Sequence, residues 1–88
     1  MSHWSQSRFL EIEINEFIDD NRDLDTQLRV SFKRLSDGIR QMHEFFSASD
    51  LTEDQWKQHY KNFSKEFIEL KERYEQLKAS TIKSANKV

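Results

Sequence analysis

Large apolar side chains recur at steps of four and three through most of the chain, and the second half shows the pattern most cleanly. Trp56, Tyr60, Phe63, Phe67, Leu70, Tyr74 and Leu77 follow the seven-residue repeat that lays one apolar seam along a helix. The start of this element is marked as well. Thr52 stands three residues before Gln55, Glu53 and Asp54 suit the positive end of a helix, and Leu51 can staple to Trp56. The spacing predicts a helix over 52–82, supported on its outer faces by the four-apart pairs Lys65 with Glu69, Glu69 with Arg73 and Lys71 with Glu75.

The first half repeats this logic over a longer span. Leu10, Ile14, Phe17, Asn21, Leu24, Leu28, Phe32, Leu35, Ile39, Met42 and Phe46 step by four or three, with two successive fours at Leu24 to Phe32 that relax the supercoil locally. Asn21 is the one polar member, and it sits in Asp19-Asp20-Asn21-Arg22-Asp23, a cluster of weak helix formers. Two architectures follow: one helix over 7–47, or two shorter helices meeting near residue 21. Residues 48–51 join the halves, a length suited to an antiparallel helical hairpin. Residues 83–88 read as a flexible basic tail, which leaves 1–82 as a single helical domain. The fold class is therefore all-α, an antiparallel hairpin with coiled-coil-like seams, with a three-helix bundle broken near residue 21 as the alternative.

Folded back from the loop, the second helix covers the first only to about residue 20, at roughly 1.5 Å per residue in each. Residues 4–18 are left over, and they hold Trp4, Phe9, Leu10, Ile12, Ile14, Phe17 and Ile18. That surplus must be buried. Either residues 5–20 fold back as a third helix, or hairpins pair with each other or with other helical proteins. Assembly is the favoured remedy, with Trp4, Phe9, Leu10, Ile14, Phe17, Ile18, Asn21 and Leu24 as the partner-binding residues and Asn21 setting register.

Composition narrows the function. With 88 residues the chain is one small domain, and the absence of Pro beside a single Gly, Gly38, removes most helix breakers and any Gly-rich phosphate loop. There is no Cys, so neither a disulfide framework nor thiolate chemistry is available. That fits a reducing compartment, and an intracellular, cytoplasmic location is expected, with the nucleus as the alternative. Residues 1–10 lack the apolar run of a secretory signal, and no later stretch is long and apolar enough to span a bilayer. Charge is uneven: residues 1–25 carry seven acids against Arg8 and Arg22, whereas Arg29, Lys33, Arg34 and Arg40 face only Asp37 over 26–43.

Candidate chemistry is thin. His3, His43 and His59 include no pair spaced for metal on one helix face, and His43 and His59 read as exposed residues flanking the loop. Glu11 with Glu13 and Asp19 with Asp20 belong to a solvated acidic face. The basic residues of the first helix and the row Lys57, Lys61 and Lys65 suggest nucleic acid, yet Asp37, Glu44, Asp50, Glu53 and Asp54 dilute any patch. The aromatics at helical spacing are core. Trp4 to Ile18 carries too many acids for a membrane-surface helix. The expectation is a non-catalytic helical assembly or scaffold subunit, with no cofactor, no metal and no small-molecule substrate. Its partners would be itself or other helical proteins. The alternative is a chaperone or adaptor that holds a short helix of a client, and a nucleic-acid-binding hairpin ranks below both.

Overall fold

The computed structural model describes residues 2–85, with side chains described over 2–80. Its elements are α1 (His3–Asp20), α2 (Thr26–Phe45) and α3 (Glu53–Ala85), with no strand among the described residues. The first half of the chain is thus two helices, and the single helix over 7–47 is not formed. Asn21 ends α1: its backbone N–H donates to the Phe17 carbonyl at 3.1 Å, and its side-chain amide donates to the same oxygen at 2.8 Å. A tight turn follows, with the Leu24 N–H on the Asn21 carbonyl at 3.2 Å, and then Asp25 caps α2 by accepting from the Gln27 N–H at 3.1 Å. Short polar side chains that compete for backbone groups end one helix and begin the next within five residues.

The second connection runs over 46–52, slightly longer than the 48–51 expected, and is braced by the Ser47 N–H on the Asp50 carboxylate at 2.7 Å. α3 opens with the reciprocal capping bonds its sequence signals. The Gln55 N–H donates to the Thr52 hydroxyl at 3.2 Å, and the Thr52 N–H donates to the Gln55 side chain at 2.9 Å. The helix continues through 83–85, where the tail was expected to begin; residues 86–88 of that tail lie outside the described residues. The outer-face pairs expected along α3 are not among the ion pairs of the described residues. Lys71 instead lies 4.3 Å from the centre of the Phe67 ring, where its charge meets the ring face.

The three helices pack together up, down and up. His3 on α1 meets Glu53 on α3 at one end, Phe17 meets Phe67 further along, and Tyr74 closes the other end against the turn after α1. α1 therefore runs parallel to α3 and antiparallel to α2. Leu10 and Ile14 of α1, Leu24 of the turn, Leu28, Phe32, Leu35 and Ile39 of α2, and Phe67 and Tyr74 of α3 form the buried core. At its centre Phe17, Phe32 and Phe67 touch pairwise, with ring centres 5.0, 5.8 and 6.0 Å apart.

The surplus apolar surface of residues 4–18 is hidden mainly within the chain, by α1 folding over the other two helices. A helix has two sides, and only one of them faced the demand for burial. α3 outruns its neighbours: beyond Tyr74 it extends about 16 Å at roughly 1.5 Å per residue, and the whole molecule measures 58 × 19 × 18 Å. Leu77, placed on the seam by its spacing, lies in this extension and is 47% exposed.

Candidate interaction surface

At the end of the bundle where α1 begins, three rings from three helices meet. The His43 imidazole stacks on Trp56 with ring centres 5.4 Å apart and planes 15° from parallel, and Trp4 meets it edge-on at 5.2 Å. Trp56 is sealed in, with its indole N–H on the Ala48 carbonyl at 3.2 Å. His43 is thus not the exposed loop-flanking residue its position suggests. Both of its ring nitrogens, and the Trp4 indole nitrogen, are shielded from solvent without a hydrogen-bond partner. Burial, followed by the nearby Arg8 charge, holds the His43 pKa below the usual 6.5. Beside this cluster, Glu53 accepts from the His3 backbone N–H at 2.7 Å and from its ring, and these bonds hold the Glu53 carboxyl below its usual 4.5. The contacts fasten the start of α1 to the other two helices. His59, by contrast, is exposed.

A pH dependence follows, and its sign is fixed. A histidine whose folded pKa is depressed stays neutral in the bundle, while the unfolded chain takes up the proton near 6.5. The stabilising contribution is present above pH 6.5 and declines as pH falls below it. Glu53 acts in a separate, more acidic window, because its contribution is held above about 4.5 and lost as pH falls through the depressed value. Urea midpoints should therefore drop between pH 7.5 and 5.5 for the native chain, with a markedly smaller drop for His43→Phe. Parallel curves for the two proteins would show that this imidazole does not govern the effect.

Along one side, α2 and α3 leave an open groove, theirs being the sparsest of the three helix contacts. Its wider part, about 470 Å³, is lined by Ser31, Arg34, Leu35, Phe63, Glu66, Glu69, Leu70 and Arg73. It adjoins a second part of about 360 Å³ that shares Ser31, Arg34 and Arg73 and runs on past Val30 to Leu77 and Asp25. Ser31 is the small residue of α2 that lines both parts of the groove. A Cβ added at Gly38 would only just reach Phe63, at 3.8 Å. Neither Arg34 nor Arg73 takes part in an ion pair among the described residues.

The residues expected to bind a partner divide four ways. Leu10, Ile14 and Leu24 are buried in the chain's own core, so they serve intramolecular packing. Phe17 and Ile18 are partly buried against that core, and Trp4 is half-buried against His43. Asn21 is committed to the end of α1 through the Phe17 carbonyl, with its side-chain oxygen 3.4 Å from the Tyr74 hydroxyl. It acts as a helix stop, and no register between chains is assigned to it. Phe9 alone of the set remains outside, 57% exposed, beside Ile12 at 49%. With Ser5 and Arg8 they line a shallow depression on the outer face of α1.

The basic residues are dispersed. Arg29 donates to the Arg22 carbonyl at 2.9 Å, Arg40 pairs with Asp37 and Glu44, Arg34 lines the groove, and Lys61 and Lys65 lie beside Ile68 on a neighbouring face of α3. Among the described residues no group of three or more His, Asp or Glu side chains is placed to hold a metal ion, and no helix is long and apolar enough to cross a membrane. No family model, no curated protein and no solved structure matches this chain.

Proposed function

We propose that the chain is a non-catalytic helical interaction module that binds another helix in the groove between α2 and α3. The observation that carries this reading is the groove itself. The bundle buries most of its seam positions, yet it keeps a long cleft floored by Leu35, Phe63 and Leu70 and rimmed by charges of both signs. A cleft between two helices that is apolar below and charged at its edges suits an amphipathic helix, whose side chains at steps of three and four reach the floor. The same shape serves a permanent subunit contact or the transient holding of a client helix. Assembly is the better supported of the two, because Phe9 and Ile12 offer a second exposed apolar site on the opposite helix.

Position-dependent photocrosslinking tests the reading. With benzoylphenylalanine at Val30, on the groove rim, irradiation in the cell of origin should yield defined adducts, whether to this chain or to another protein. The same probe at exposed Lys57 should yield few. Equal yields at the two positions, or none at Val30, would remove the groove as an interaction surface.

A further inference from the structure

We propose that the groove is filled by the outer face of α1 from a second copy of this chain, so that copies join head to tail. The inference rests on the groove being an interaction surface and names what occupies it. Charge order along the two surfaces carries it. On α3, Glu66 and Glu69 come first along the groove, and Arg73 follows opposite Arg34 of α2. On the outer face of α1, Arg8 comes first, then the exposed Phe9 and Ile12, then the exposed acids Glu13 and Glu16.

The spacings correspond. Glu66 to Arg73 is seven residues, about 10.5 Å, and Arg8 to Glu16 is eight residues, about 12 Å, at the helical rise of roughly 1.5 Å. An incoming α1 laid parallel to α3 sets Arg8 against Glu66 and Glu69, Phe9 and Ile12 over Leu35 and Leu70, and Glu13 and Glu16 against Arg73 and Arg34. Reversing it brings Arg8 onto the two arginines and the acids onto the two glutamates, so like charges select against that orientation. Parallel to α3 and antiparallel to α2 is also how α1 packs within its own chain. The α2–α3 pair would then hold one α1 on each side.

Groove and stripe are different surfaces of one molecule, so after a single contact one copy keeps a free stripe and the other a free groove. Association is heterologous and continues to longer chains or a ring. A single helix face buries less than a standard interface of about 1,600 Å², so growth is weak and depends on concentration.

Sedimentation velocity over a dilution series of the full chain tests the proposal. The average mass of the native protein should rise with concentration past twice the monomer mass. Arg34→Glu with Arg73→Glu reverses the groove's two positive charges, and Phe9→Ser with Ile12→Ser removes the apolar stripe; each double variant should stay monomeric with native helicity by circular dichroism. An equimolar mixture of the two should return to the dimer mass and stop there, because only one intact groove and one intact stripe remain between them. A native chain that is monomeric at every concentration, a mixture that stays monomeric, or a discrete dimer untouched by both variants would each overturn the second-copy occupant. Adducts from Val30 to other proteins alongside a monomeric native chain would leave the interaction module standing and remove only self-association.

Discussion

Phe32→Ala should remove about 3–5 kcal/mol of stability, a large share of the roughly 5–15 with which such a domain starts. Phe32 is fully buried and its ring touches both Phe17 of α1 and Phe67 of α3. Truncation therefore opens a cavity at the centre of the core, where aromatic rings of all three helices meet, and rigid neighbours cannot collapse to fill it. Urea unfolding followed by circular dichroism would show the midpoint shift, with an unchanged slope if unfolding remains two-state. A loss below about 1 kcal/mol would mean that the aromatic centre repacks and that the bundle is far looser than its burial indicates.

Replacing Asn21, Asp23 and Asp25 together by Ala should have the second largest effect, and it should change association as well as stability. The triple variant loses the side-chain cap on the Phe17 carbonyl, the acceptor of the Tyr74 hydroxyl at 2.9 Å, and the cap of α2. Each is worth about 1 kcal/mol, so together they approach 2–3 if they act independently. The phenol has one hydrogen, and the shorter bond to Asp23 is the stronger of its two contacts. That bond, with burial and the Asp23 charge behind it, raises the Tyr74 pKa above its usual 10.0. Alanine also favours helix through the former turn. α1 and α2 would tend to fuse into one long rod, sending α1 onto another copy as a domain-swapped dimer. Size-exclusion chromatography should then show a dimer that persists on dilution, unlike the reversible groove contact. A variant that stays monomeric at native stability would show that the turn is held by packing alone.

Much of the bundle was legible because burial and periodicity are the same fact seen twice. The positions from Leu28 to Ile39, and Trp56, Phe67 and Tyr74, were read as seam and are buried. The Thr52 and Gln55 capping bonds were equally plain, being local chemistry. The break at residue 21 was visible as weak helix formers, but bend and stop could not be told apart from the chain alone. What decides between them includes the reach of the Tyr74 hydroxyl to Asp23, a contact fifty-one residues away in sequence.

The interaction surface was read less well, for a different reason. The apolar positions of residues 4–18 spread over more than one face of α1, and their spacing leaves open which face the chain itself covers. Successive helical residues turn by about 100°, so Phe9 and Ile12 point away from Leu10 and Ile14, and the two pairs meet different fates. His43 escaped notice because its surroundings come from three helices at once, and no spacing within one of them records that. The groove depends on how far two helices stand apart, a quantity that seam residues constrain only weakly.

The chain's two tryptophans both sit against the same imidazole. Intrinsic indole emission is consequently a spectroscopic gauge of one end of the rod and is blind to the other. The two tyrosines do not share that confinement: Tyr74 marks the far turn. Coincident loss of indole emission and of a tyrosine signal on heating would show melting as one cooperative unit, and separation of the two would resolve fraying from either end without any attached dye.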